Sequence, residues 1–308
     1  PAPPTKGNPA DSPLFNRAIQ GVYELGSTFK IFAAAQALEM GLVTPDTMID
    51  IRGPLKWGKF RITDFHNYGN ELSVHDIIMK SSNIGSARLA LQIGADKQQE
   101  FLKSLGFFEP TSVEMVEASG GRPKYPKDWK DISTITISYG HGLSATPMHL
   151  AAAYASLLNG GYKVTPTLLK RDFYERGPRV VSPETSRHAR VMLRSVVKEG
   201  TATFGNVPGY AVAGKTGTAD KPIETGGGYY EDRVISTFAS AFPAYDPKYV
   251  LVVTMDEPEL STGIEPKRTA GWTAVPVAAE IITRVAPLLG LRPEIEPSAQ
   301  LGVTQSSN

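Results

Sequence analysis

The feature that most limits how this 308-residue chain can fold is the stretch from Thr28 to Met40. Ala, Phe, Ile and Leu fill most of it, and Gly41 follows as a helix-ending residue. A helix that is apolar round most of its circumference belongs in the interior, so the stretch is expected to form a central, buried helix. One lysine, Lys30, lies inside it between Phe29, Ile31 and Phe32. Poor solvation there disfavours the ammonium and lowers its pKa.

Around this helix the chain divides by pattern. Residues 1–16 are Pro-rich and read as an extended linker entered from something upstream. Residues 42–72 look irregular, punctuated by Pro45, Gly53, Pro54, Gly58 and Gly69. Ser73 then caps a second helical region, and a third runs from about Asp96 to Leu105, ended by Gly106. Residues 109–131 read as a long surface loop. Thr146-Pro147 starts a helix that runs to Asn159-Gly160, and Pro183 to Lys198 forms an amphipathic one. Strand-like runs come late, at Tyr210–Ala213, Val234–Phe242 and Tyr249–Met255, before a last helix over Val275–Val285. Helices in the middle and closely spaced strands at the end indicate α+β with an antiparallel sheet, because such strands pair as hairpins.

Composition removes whole classes of chemistry. With no cysteine there is no thiol nucleophile, disulfide or zinc–thiolate site. The five histidines show no HExxH-like spacing, so no metal is expected. A net charge of +1 gives no field for nucleic acid. No apolar run reaches about 18 residues, and the opening Pro-Ala-Pro-Pro is not a signal peptide. An excised domain, its anchor elsewhere, is the expectation.

Three short motifs carry the chemistry. In Ser27-Thr28-Phe29-Lys30, the serine opens the apolar helix, where free N–H groups and the dipole favour developing negative charge. Lys30 lies one turn along on the same face, and a neutral amine there is a workable base for the Ser27 hydroxyl. In Ser81-Ser82-Asn83, Ser81 can relay a proton between Lys30 and a leaving amine, and the Asn83 amide can hold a substrate carbonyl. Lys215-Thr216-Gly217-Thr218 ends a strand-like run. Lys215 supplies positive charge, Thr216 and Thr218 offer hydroxyls to a carboxylate, and Gly217 lets substrate approach the backbone. The backbone N–H groups of Ser27 and Thr218 would form an oxyanion hole. Taken singly, each motif also reads as a helix cap or a polar turn. Ser195-Val196-Val197-Lys198 and Ser306-Ser307-Asn308 repeat two of them, and both read as chance copies.

Longer segments resemble class B penicillin-binding proteins: Tyr23 to Lys30, Lys80 to Gly85, Ala213 to Ala219, and Ile137 to Pro147. The likeness runs from about Asn16 to Leu289 and is closest to the septal, cell-division branch. It implies an αβα sandwich, an antiparallel sheet flanked by helices with a mostly helical subdomain inserted. Residues 1–16 would be the linker from a pedestal domain. Residues 17–290 would be the transpeptidase domain, with about 31–150 as the helical subdomain, and residues 291–308 a flexible tail. The resemblance implies a peptidoglycan D,D-transpeptidase that needs no cofactor. Ser27 would attack a D-Ala-D-Ala stem peptide, release D-Ala and pass the acyl group to a neighbouring amine, and β-lactams would acylate the same serine. Division-site glycosyltransferase and divisome partners are implied, as is the periplasmic face of the bacterial inner membrane, reached through an N-terminal anchor. His141 stands where the family resemblance suggests tyrosine, and is read as a wall residue. A serine β-lactamase, a D,D-carboxypeptidase or a non-catalytic β-lactam sensor on the same fold remain alternatives, although no Glu-x-x-x-Asn pattern occurs between Glu109 and Asp131 to hold a hydrolytic water. The Gly-rich segment Asp220–Asp232 is expected to be mobile and to gate the site.

Overall fold

A computed structural model describes residues 12–173, 175–223, 228–261 and 265–296. The first strand, β1 (Tyr23–Glu24), leads into a 3-10 turn over Gly26–Phe29 that continues as helix α1 (Lys30–Glu39). Every residue of α1 from Lys30 to Ala37 is buried, as its composition requires. The rings of Phe29, Phe32, Phe107 and Tyr154 pack about it, with Phe29–Phe32 and Phe32–Tyr154 centroids 5.4 and 5.7 Å apart.

The expected irregular stretch is more ordered than its Pro and Gly residues suggest. Strands β2 (Met48–Asp50), β3 (Leu55–Trp57), β4 (Phe60–Ile62) and β5 (Glu71–Ser73) form two small antiparallel pairs, β2 with β5 and β3 with β4. Three-residue strands leave almost no periodicity to read. Ser73 caps α2 (Val74–Lys80), accepting from the Asp76 N–H, and Ser82 caps α3 (Asn83–Ile93), accepting from the Gly85 N–H. Helix α4 (Ala95–Ser104) follows. Helix α5 (Asp131–Ser138) had no sequence signal. Its Thr, Ser and Ile content favours strand, but packing against α3 overrides propensity.

Strand β6 (Ser144–Ala145) pairs with β1, and α6 (Pro147–Leu158) begins with a capping box between Thr146 and His149. After α7 (Pro183–Lys198) come β7 (Ala213–Pro222), β8 (Tyr229–Phe242), β9 (Tyr249–Asp256) and α8 (Ala274–Leu288). The three strands form one antiparallel sheet in the order β7-β8-β9, against which α6, α7 and α8 pack.

One expectation changes here. The strand starts only at Ala213, so the Lys-Thr-Gly motif lies inside β7 and not at the end of a strand. Most of Asp220–Asp232 is strand as well, with Asp220 paired to Val234 and Pro222 to Tyr229. Residues 224–227, with glycines on which the expectation of a mobile gate rests, lie outside the described residues. Glu296, close to the C-terminal end of the described chain, pairs with the buried Arg194 of α7.

Candidate active site

The turn carrying Ser27 is squeezed between two backbones. Gly26 has φ +55 and donates its N–H to the Gly140 carbonyl at 3.2 Å. A Cβ on Gly140 would lie 1.9 Å from the Gly26 oxygen, and one on Gly26 would lie 2.9 Å from the Thr218 oxygen. On β7, a Cβ at Gly217 would come 2.3 Å from the Leu25 oxygen. Only glycines allow this approach, and it brings the Thr218 backbone nitrogen beside the Ser27 turn. Thr28 Oγ1 donates to the Leu25 carbonyl at 2.8 Å, and the buried Tyr154 hydroxyl donates to the Thr28 carbonyl at 2.8 Å. Ser27 itself is half-buried.

Ser81 joins α2 to α3 in the left-handed region, φ 65 and ψ 45. For a residue with a Cβ this costs roughly 1–2 kcal/mol. The conformation brings its hydroxyl to two buried lysines. Lys30 Nζ donates to the Ser81 carbonyl at 2.6 Å and lies 3.0 Å from Ser81 Oγ. Lys215 Nζ lies 2.8 Å from the same Oγ and 3.1 Å from the Thr216 carbonyl. The Lys30 amine thus spends its hydrogen bonds on Ser81. Lys30 is held well below the ordinary lysine range, first by burial and then by the charge of Lys215. Burial pushes Lys215 down to about 7. Two ammoniums around one hydroxyl repel, so the arrangement favours a neutral Lys30 beside the more readily charged Lys215.

The segment behind Ser81 is fixed by a residue without a motif signal. Asp64 accepts from the Asn83 N–H at 2.6 Å, the Ile84 N–H at 3.0 Å and the Ser82 hydroxyl at 2.7 Å. A carboxylate at a helix N-terminus satisfies free donors and meets the positive dipole end. The Asn83 side chain donates to the Thr63 carbonyl at 2.9 Å. Nothing local to Asp64 in the sequence marks it, since its partners lie nearly twenty residues on.

Alternation along β7 separates the third motif into two faces. Lys215 and Gly217 face Ser81 and the Ser27 turn, whereas Thr216 and Thr218 turn the other way. Thr216 Oγ1 lies 2.6 Å from Thr201 Oγ1, and Thr218 Oγ1 accepts from the Ala270 N–H at 3.1 Å. The structure therefore gathers Ser27, Lys30, Ser81, Lys215 and the Thr218 backbone in one place, with Asn83 at its rim, and binds the two threonine hydroxyls to other segments.

A further wall was legible only in part. Glu24 accepts from the Gly142 N–H at 2.7 Å and from the Tyr229 hydroxyl at 3.2 Å, tying the β7–β8 hairpin to the loop after α5. His141 sits between the rings of Tyr139 and Tyr229, centroids 5.5 and 6.1 Å away. Burial pushes the Tyr139 hydroxyl up to about 12, and burial followed by the Glu24 charge does the same to Tyr229. Ser195 of the second Ser-x-x-Lys pairs with His75 at 2.9 Å on the surface of α7, apart from the lysine cluster. Ser306-Ser307-Asn308 lies outside the described residues. Among the described residues no three His, Asp or Glu side chains could hold a metal, and no helix is long and apolar enough to cross a membrane.

The family described as "Penicillin binding protein transpeptidase domain" matches residues 2–283, and the chain belongs to it. It is 35% identical over 300 residues to the probable peptidoglycan D,D-transpeptidase FtsI of Caulobacter vibrioides, covering 94% of this chain and 50% of that protein. It is 34% identical over 293 residues to penicillin-binding protein PbpB of Mycolicibacterium smegmatis, covering 89% and 45%. The chain thus spans about half the length of these curated relatives. Among solved structures, the apo transpeptidase domain of penicillin-binding protein 3 from Burkholderia pseudomallei superposes with TM-score 0.82 at 33% identity, covering 91% of this chain and 83% of that one.

Proposed function

We propose that the chain is the catalytic part of a peptidoglycan D,D-transpeptidase of the septal branch. The observation that carries this is the Ser81 hydroxyl held between two buried lysines, beside a serine turn pressed against β7. Neutral Lys30 accepts the Ser27 proton as Ser27 Oγ attacks the carbonyl of the penultimate D-Ala. The N–H groups of Ser27 and Thr218 receive the oxyanion. The proton passes through Ser81 to the departing D-Ala nitrogen as the peptide bond breaks, leaving an ester on Ser27. A neighbouring strand's amine then attacks the ester and releases the serine. Asn83 holds a substrate carbonyl and Lys215 supplies charge. The Thr216 and Thr218 hydroxyls, which can accept from Thr201 and the Ala270 N–H and still donate, receive the substrate carboxylate end. Gly217 serves the site by letting the Leu25–Thr28 turn approach β7 and not by admitting substrate. His141 is a wall residue. Residues 17–290 form the transpeptidase unit, with about 31–150 as its mainly helical part, and β-lactams acylate Ser27. Relatives named as peptidoglycan D,D-transpeptidases support a place of action at the cell wall, and the proposal extends to the outer face of the inner membrane, an upstream anchor and a division glycosyltransferase as partner.

Mass spectrometry of the intact protein after brief exposure to benzylpenicillin, with Ser27→Ala alongside, tests this. A lasting adduct on Ser27 that the variant lacks is the expected result. Rapid hydrolysis, or no adduct, would overturn the transpeptidase reading.

A further inference from the structure

Beside the second motif lies a cavity of about 440 Å³ that the proposed reaction leaves unused. Arg52, Thr63, Asp64, Asn70 and Ile84 are among its walls. Three of these walls hold the motif or belong to its helix. The Thr63 carbonyl accepts from Asn83 Nδ2 at 2.9 Å, and Asp64 accepts from the Asn83 and Ile84 N–H groups. Asn83 therefore stands where the lysine-flanked site and the cavity meet.

The course of the substrate follows from the proposed function, on which this inference rests. The carboxylate end lies at Thr216 and Thr218, and the carbonyl of the penultimate D-Ala lies in the oxyanion hole. The next carbonyl along the peptide, the one left for Asn83, belongs to the residue before the D-Ala pair. That residue sits over Asn83 and Thr63, at the mouth of the cavity.

The cavity walls carry opposite charges. Asp50 holds Arg52 through Nε at 3.0 Å and Nη2 at 2.8 Å, which leaves Nη1 for a ligand. Asp64 Oδ1 accepts two N–H groups, and Oδ2 accepts the Ser82 hydroxyl. A carboxylate has about four acceptor sites, so Asp64 keeps capacity for one more donor. Asn70 adds an amide, and the rings of His66 and Tyr68, centroids 6.0 Å apart, close one side. An apolar side chain here would take water from these groups and give no hydrogen bond back. We infer that the cavity receives the side chain of the residue before the D-Ala pair, and selects one ending in both an amine and a carboxylate. The carboxylate meets Arg52, and the amine meets Asp64.

The test uses acetyl-X-D-Ala-D-Ala peptides in which X is meso-diaminopimelate, whose side chain ends in both groups, or lysine, which has the amine alone. D-Ala release is followed with glycine as acceptor. The readout is the ratio of the two kcat/KM values within each protein, so that a general loss cancels. Because Arg52 is exposed, the expected native ratio is about five, falling to about one in Arg52→Ala. A native ratio of one, or a ratio that survives the substitution, would overturn the assignment. Saturation-transfer NMR on Ser27→Ala with the diaminopimelate peptide reads the cavity without turnover. The side-chain protons of X should saturate, and the effect should fade in Ser27→Ala/Asn70→Phe, where a ring fills the cavity. Protons that do not saturate, or saturate equally in both proteins, would also overturn it. Failure of the transpeptidase reading shows itself separately, as absence of a benzylpenicillin adduct on Ser27.

Discussion

Asp64 offers the sharpest test of how the second motif is held. Its carboxylate takes three hydrogen bonds at 2.6, 3.0 and 2.7 Å from the first turn of α3 and the Ser82 hydroxyl. Hydrogen bonds to a charged group are worth about 1.5–3 kcal/mol each when buried. Asp64 is half-buried, so water recovers part of that on its removal. Helix-cap exchanges, about 1–2 kcal/mol, and the dipole contribution, about 0.3–1 kcal/mol, are the better guides. Ser82 still caps the Gly85 N–H in a variant, so α3 does not melt. Asp64→Ala should therefore cost about 2–3 kcal/mol, seen as a fall of about 5–8 °C in Tm. Since Asn83 and Ser81 ride on this turn, acylation by benzylpenicillin should slow at least about tenfold. The Asp64 charge also raises the Lys30 pKa against burial and Lys215. Asp64→Asn, which keeps the shape and removes the charge, should move the acid limb of the acylation pH profile downward. A Tm and an acylation rate both unchanged in Asp64→Ala, or an upward shift in Asp64→Asn, would refute the reasoning.

Three further outcomes follow from the structure. Lys215 is depressed to about 7 from an ordinary value of 10.5, so between those values the unfolded chain binds more protons than the folded one. Stability should rise with pH over that window, by at most about 1.4 kcal/mol per pH unit from this group, and denaturant midpoints of Lys215→Met should show a flatter dependence. Gly140→Ala puts a Cβ 1.9 Å from the Gly26 oxygen at a φ of +86, and should abolish or severely reduce folded protein. Gly41→Ala, at φ +66 but with open space around it, should cost only about 1 kcal/mol in a thermal melt.

The sequence disclosed those parts of the molecule that depend on local pattern. The apolar run marked α1 as central, Ser73 and Thr146 marked helix starts, and the β-branched runs marked β8 and β9. The three motifs could be ranked by their surroundings, and Ser195 by its place on a surface helix. Other features depend on partners distant in the chain. Helix α5 is composed like a strand and is held helical by α3. Asp64, Glu24, Tyr229 and Thr201 act on groups 15 to 205 residues away, a relation no window of sequence displays. The division of the Lys-Thr-Gly-Thr motif into two faces follows from β-strand alternation, but only once the strand is known to run through it.

That division makes sheet register part of how the candidate site is assembled. Lys215 reaches Ser81 and Gly217 reaches the Ser27 turn because both sit on one face of β7, opposite Ala239 and Thr237 of β8. A slip of one residue would turn Lys215 away and drive Thr216 or Thr218 into the space only Gly217 can occupy. Hydrophobic burial pins this register at the Phe238 end, where that ring is fully buried. Toward the hairpin tip the pairing shifts between Asp220 and Pro222, and burial fades. There the Tyr229 hydroxyl is bound to Glu24, and Glu24 also holds the Gly142 N–H beside the Ser27 turn. The carboxylate thus ties the less buried end of the strand pair to the rim of the Ser27 turn, so that both ends of β7–β8 are referenced to the same candidate site.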